Sequence, residues 1–168
     1  AWSKVLEGEG GLLSRWKIPS WENQQDFFTR HVKVHLDSGI KRVFVVISDA
    51  FRYEAAEELV RDINGKSRFK ALLTPMLGVL PSYTALGMAA LLPHDTLAYK
   101  QNSNLDLSTD GSVVSTVEQR SDQLAKYQGV AIKADDLLAL GKDKGRGFVR
   151  DQQVIYIYHD KIDLLGDK

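Results

Sequence analysis

The chain has 168 residues, 22 Lys+Arg against 22 Asp+Glu, a formal net charge of zero, 43% apolar residues and no cysteine. That composition supports a folded core of useful size, excludes wholesale disorder, and implies no general nucleic-acid coat, although it leaves room for a local basic patch. Without thiols there is no disulfide, thiolate zinc site or cysteine nucleophile, so any metal must be held by His, Asp or Glu, and no apolar run approaches the roughly 20 residues that span a bilayer.

The chain opens at Ala1-Trp2-Ser3 with neither an initiator Met nor a signal pattern and stops after a strand-like run, so it reads as a piece of a longer protein. Residues 1–19, with Trp2, Trp16 and a Gly8-Glu9-Gly10-Gly11 cluster, are expected to form loop and a short helix. Pro19-Ser20 reads as a helix start with Ser20 as N-cap. Trp21, Phe28, Val32 and Leu36 then fall on one helical face, and Gly39 closes that helix. Arg42 to Ser48 (RVFVVIS) is an unbroken apolar run, as expected of a central strand buried on both faces of a parallel sheet.

Ala56, Leu59, Val60 and Ile63 mark a second amphipathic helix that stops at Asn64-Gly65, and Phe69 to Leu73 a second strand. Leu80-Pro81-Ser82 opens a third helix, which Pro93 ends. The polar stretch 95–114 carries the turn signals Asn102-Ser103-Asn104 and Asp110-Gly111 and suggests a hairpin or insertion. Ser115 and Glu118 have the spacing of a capping box, so a fourth helix is expected to run to about Tyr127. Val130 to Lys133 reads as a short strand, Asp135 to Leu140 as a short helix ended by Gly141, and 141–147 as a basic, glycine-rich loop. Val154 to Tyr158 (VIYIY) is the second strong buried-strand signal. Helices alternating with apolar strands predict an α/β fold with a mostly parallel sheet and flanking helices.

In such sheets ligands bind beyond the carboxyl ends of the strands. Asp49 ends the RVFVVIS run, where it either caps the next helix or serves as a metal ligand or phospho-acceptor. Thr84 lies in the first turn of the third helix, where it either caps the helix or, activated by the helix end and a metal, attacks phosphorus. His159 and Asp163 follow the VIYIY strand four apart, a spacing that reaches one metal or merely caps a helix. His31 and His35 share that spacing, but the apolar face beside them favours packing or solvent roles. The 141–147 loop lacks the Lys-Ser/Thr ending of a P-loop, and Gly8-Glu9-Gly10-Gly11 follows no strand, so neither is a nucleotide fingerprint.

VFVVISDAFRYEAAEEL (43–59), LPSYTALGMAALLPH (80–94) and YIYHDKIDLLGD (156–167), taken together and in that order, resemble the PglZ domain, a branch of the alkaline phosphatase superfamily found in BREX-type bacteriophage resistance systems. The resemblance implies a single α/β domain, with 20–168 as an incomplete alkaline-phosphatase-like core. It also implies a phosphodiesterase or phosphatase with two divalent metal ions, usually zinc. Asp49 matches a metal ligand and Thr84, in Pro81-Ser82-Tyr83-Thr84, the metal-activated nucleophile. His159 and Asp163 stand where relatives carry an Asp-x-x-x-His pair for the other metal, in reversed order. Arg52 matches a residue that contacts phosphate or pairs with a nearby carboxylate. The superfamily completes its metal sites with a later Asp-His pair and one further His, which this chain does not supply, so the fragment is expected to hold about half of the site and to be inactive alone. The implied setting is the cytoplasm, with other defence-system subunits as partners and a phosphate ester, a nucleotide or nucleic acid, as substrate. The alternatives are a non-catalytic interaction module with a vestigial metal site and, further off, a phospho-receiver domain, for which the acidic pair before residue 42 is missing.

Overall fold

The computed structural model describes residues 16–100 and 106–166; the Gly8-Glu9-Gly10-Gly11 cluster and the Asn102-Ser103-Asn104 turn signal lie outside them. In chain order the elements begin with β1 (Glu22–Asn23), a helical segment α1 over 24–37, β2 (Val43–Ser48), α2 (Tyr53–Lys66), β3 (Met76–Leu77) and α3 (Thr84–Ala90). Three short strands follow, β4 (Leu97–Tyr99), β5 (Leu107–Thr109) and β6 (Ser112–Val113), then α4 (Val117–Ala125) and β7 (Gly129–Lys133). The chain closes with α5 (Ala134–Ala139), α6 (Gly141–Arg150), β8 (Val154–His159) and α7 (Lys161–Gly166).

The main sheet is parallel, in the order β2-β8-β7. β8 is central, and Val154, Ile155 and Tyr156 are fully buried, as an unbroken apolar run requires. On one face Val45, Val154, Tyr156, Tyr158 and Ala131 meet Phe28 and Val32 of α1, Leu86, Ala89 and Ala90 of α3, and Leu124 of α4. Each fully buried large side chain here contributes about 1.5–3 kcal/mol. On the other face α5 packs over β7 and β8. β2 departs from the expectation: among the described residues it is an edge strand, and its alternate residues Phe44 and Val46 face outward, because the second layer of helix described here does not reach it.

Other local signals shift for identifiable reasons. Ser20 adopts a left-handed turn (φ 69°) rather than an N-cap, and residues 22–23 pair with Met76–Leu77, so helical structure begins only at Gln24. Phe28 and Val32 still point inward as their spacing predicts. α2 runs through Asn64-Gly65 because the Asn64 amide is engaged with the backbone of Ala71 (2.9 Å each way) instead of ending the helix. Phe69 to Leu73 forms no strand. The capping box is Thr116 with Gln119, one residue later than expected: Gln119 Oε1 accepts from both the Ser115 and Thr116 amides. The helix ends at Ala125, and Tyr127 packs its ring on Phe28 at 4.5 Å between centroids.

The glycine-rich stretch 141–147 is not a loop but the body of α6. Gly141 takes the left-handed conformation (φ 69°) that ends α5 and restarts the chain as a helix. Each interior glycine costs about 1 kcal/mol there; docking on α5, with Phe148 and Val149 half-buried, offsets it.

The polar stretch forms an antiparallel sheet, β4-β5-β6, whose tight turn places Asp110 (φ 51°) and Gly111 (φ 81°) both in the left-handed region, as a two-residue hairpin requires. Asp110 Oδ1 accepts from the amides of Asp95 and Thr96 (2.9 Å each), and its carboxylate faces Lys126 at 3.5 Å. The Thr96 amide above all, with the Asp95 amide and Lys126, outweighs partial burial and holds the Asp110 carboxyl down to about 2. A depressed folded value means that this stabilisation is full above about pH 4 and lost as pH falls toward 2. Asp110→Asn is expected to cost about 1 kcal/mol at pH 7, allowing for solvent screening, and less at pH 3. Urea unfolding at both pH values checks this; equal stability at pH 7 would remove the role.

Candidate active site

β2 and β8 are paired in register from Val43 opposite Val154 to Ser48 opposite His159, so their carboxyl ends are level. The ladder extends one residue further, the Asp49 amide donating to the His159 carbonyl at 2.9 Å. Ser48 and His159 therefore share one face, and Ser48 Oγ lies 3.0 Å from His159 Nδ1. Beyond Asp49 the chain turns sharply through Ala50, a non-glycine residue held left-handed (φ 55°). In that turn Asp49 Oδ1 accepts the Ala50 amide at 3.0 Å. Asp49 and His159 thus lie at one end of the sheet, each with one side-chain atom engaged.

Thr84 begins α3, which is anchored to β8 further along. Tyr156 donates its phenol to the Leu91 carbonyl at 2.6 Å, just past the end of α3. One helical turn back, Met88 Sδ accepts from Arg120, whose guanidinium lies over the Tyr158 ring at 4.7 Å. α3 is thus tied to β8 at Leu91 directly and at Met88 through Arg120. Tyr83, not Ser82 or Thr84, is the N-cap residue, and no side chain caps the helix. The Thr84 hydroxyl is exposed and makes no hydrogen bond among the described residues.

Arg120 is 7% exposed and forms no ion pair among the described residues. Its Nε donates to the Val114 carbonyl (3.0 Å) and Nη2 to the Ser115 carbonyl (3.4 Å). Two carbonyls, a thioether and an aromatic face replace the water it has lost. Burial pushes the Tyr158 phenol up to about 12, a rise that the Arg120 charge opposes. Arg120 does not stand out in the sequence as part of a site, whereas Ser48, with Asp49, marks the strand end where chemistry is expected.

Arg52 is the exposed N-cap residue of α2 and makes no ion pair among the described residues. Asp163 is half-buried in the first turn of α7, which a Lys161–Asp135 ion pair (2.8 Å) ties to α5. His31 is engaged by Glu22 at 2.6 Å and stacks on Phe27, and His94 meets the Leu92 carbonyl at 2.7 Å. Among the described residues no group of three or more His, Asp or Glu side chains is gathered closely enough to enclose a metal ion. Nor is any helix among them long and apolar enough to cross a membrane.

A parallel α/β sheet with flanking helices, with Asp49 and His159 at the carboxyl end of adjacent strands, is consistent with the alkaline-phosphatase-like class. Residues 27–168 match the family described as the BREX system PglZ alkaline phosphatase-like domain. The chain belongs to that PglZ family. It is 48% identical over 167 residues to the alkaline phosphatase-like protein BrxZ of Escherichia coli O9:H4 (strain HS). Over 168 residues it is 38% identical to the alkaline phosphatase-like protein PglZ of Bacillus cereus (strain H3081.97). Each match takes in 99% of this chain but only 19% of the relative's length.

Proposed function

We propose that the full-length protein is a metal-dependent phosphoric ester hydrolase, a phosphodiesterase or phosphatase, of an anti-phage BREX system, and that this chain supplies its nucleophile and part of a two-metal site. The observation that supports this most is the His159 imidazole held by Ser48, with Asp49 beside it at the end of the neighbouring strand. A metal-binding His characteristically has its second ring nitrogen hydrogen-bonded. With Nδ1–H donating to Ser48 Oγ, Nε2 keeps a free lone pair, and Asp49 keeps Oδ2. One imidazole and one carboxylate fit part of a zinc site, which in catalytic form takes three protein ligands. Thr84 and Asp163 are the further candidates in this chain, and the rest would come from elsewhere in the longer protein.

Divalent ions, when bound, supply Lewis-acid polarisation of the phosphoryl oxygens and of the Thr84 hydroxyl. Thr84 Oγ1 attacks phosphorus and gives up its proton to water, the ester oxygen leaves as the alcohol, and water then cleaves the threonine ester, releasing phosphate from a monoester or a phosphomonoester from a diester. Arg52 is the candidate contact for the phosphoryl oxygens. The family context supports a nucleotide or nucleic-acid ester as substrate, other BREX subunits as partners and a cytoplasmic setting.

Metal content of the purified full-length protein tests this directly. Two zinc-class ions per chain are expected. Asp49→Ala should lose metal, and Ser48→Ala should bind it about tenfold more weakly through the freed imidazole. A full-length protein with no bound metal and no hydrolysis of a nitrophenyl phosphodiester would instead support the interaction-module reading.

A further inference from the structure

One side chain, far from Thr84 in sequence, grips the chain on both sides of it. β1 and β3 pair in parallel, Glu22 opposite Met76 and Asn23 opposite Leu77, which brings Gln24, the next residue, beside Gly78. Gln24 Oε1 accepts from the Val79 amide at 3.1 Å, and Gln24 Nε2 donates to the Gly87 carbonyl at 3.0 Å. Val79 precedes Thr84 in the turn that leads into α3, and Gly87 follows it within the helix. The Gly87 carbonyl is one of the last four of a short helix, and the Leu91 amide that would complete its ladder turns instead to Met88 at 3.4 Å. Glycine leaves room for the amide at both ends: a Cβ on Gly87 would stand 3.4 Å from Nε2, and one on Gly78 3.6 Å from Oε1. A primary amide donates and accepts at once, which neither a carboxylate nor an apolar side chain does.

We propose that Gln24 is a positioning residue for the hydrolysis: its amide fixes the turn 79–87 so that the Thr84 hydroxyl is presented in one orientation. The inference rests on the reading of Thr84 as nucleophile and adds to it a residue that acts through the backbone around Thr84. Thr84 has no side-chain restraint of its own, for it is exposed, its hydroxyl is unbonded among the described residues, and no side chain caps α3. Its placement is therefore set by what holds the backbone. Leu91 and Met88 tie the far end of α3 to β8, and Gln24 holds the near end. Without the amide, the entry turn and the helix lose their common anchor, and an attacking oxygen misplaced by about 1 Å loses about 10²-fold in rate.

The test uses the full-length protein. Gln24→Met keeps the length and bulk of the side chain without its hydrogen bonds, and is expected to lower kcat on a nitrophenyl phosphodiester by about 10–100-fold, with KM within about twofold and metal content unchanged. Gln24→Glu should lose at least as much, because its carboxylate keeps the Val79 bond but faces the Gly87 carbonyl without a donor. Asp110→Asn, which disturbs hydrogen bonds away from this turn, should keep the parent's kcat. Amide exchange of the 79–87 peptide should be at least about tenfold faster in Gln24→Met, with exchange in β8 unchanged. Unchanged exchange, or a kcat within about twofold of the parent's while Thr84→Ala is inactive, would overturn the role of Gln24 and leave Thr84 standing. Full turnover in Thr84→Ala would instead overturn the nucleophile reading and this inference with it.

Discussion

Thr84→Ala in the full-length protein is expected to lower turnover of a nitrophenyl phosphodiester by about 10³–10⁴-fold or more, with Thr84→Ser keeping measurable activity. Removing an attacking oxygen leaves only binding and electrostatic stabilisation, and losses of that order or larger follow loss of a covalent nucleophile elsewhere. Serine keeps the hydroxyl while losing only the methyl group that fixes its rotamer. The structure makes the substitution clean. Thr84 is exposed, its hydroxyl has no hydrogen-bond partner among the described residues, and the cap position belongs to Tyr83, so Ala costs the fold little. Lost activity with an unchanged melting temperature and unchanged metal content therefore points to chemistry. Mass spectrometry after rapid quenching should find a phosphoryl group on the peptide containing Thr84 in the parent and none in the Ala variant. Equal turnover in the two proteins would end the nucleophile assignment.

Arg120→Ala is expected to carry a large stability penalty, about 3 kcal/mol or a fall of about 6–12 °C in the melting temperature. The change strips the donor from two carbonyls, those of Val114 and Ser115, and leaves a void over the Tyr158 ring. Arg120→Lys should recover only part of this, since an ammonium cannot present the planar fork that reaches both carbonyls and Met88 Sδ at once. Because the guanidinium also joins α3 to β8, the Lys variant should lower turnover more than its stability loss alone explains. Thermal unfolding and kinetics of the two variants check both effects; a drop below about 1 kcal/mol for Arg120→Ala would show that the packing tolerates the loss.

The places of Asp49 and His159 follow from their neighbours in sequence. An apolar run crosses a sheet and ends where polar residues begin, and parallel strands bring such ends to one edge. Local chemistry likewise determines the Asp110-Gly111 turn, the inward faces of Phe28 and Val32, and the alternation that makes the fold α/β. Strand order is another matter. RVFVVIS and VIYIY read alike, yet among the described residues only the second is central, because β7, a weaker signal, pairs with it and none of those residues forms a strand on the far side of β2. Arg120 looks like a solvated helix residue until α3 and β8 close around it, and 141–147 looks like a loop until α5 gives α6 something to pack against. Periodicity reports the surroundings that a segment suits, over a window of a few residues. The partner it meets is set by contacts distant along the chain, each worth a few kcal/mol, and only the assembled tertiary structure decides among them.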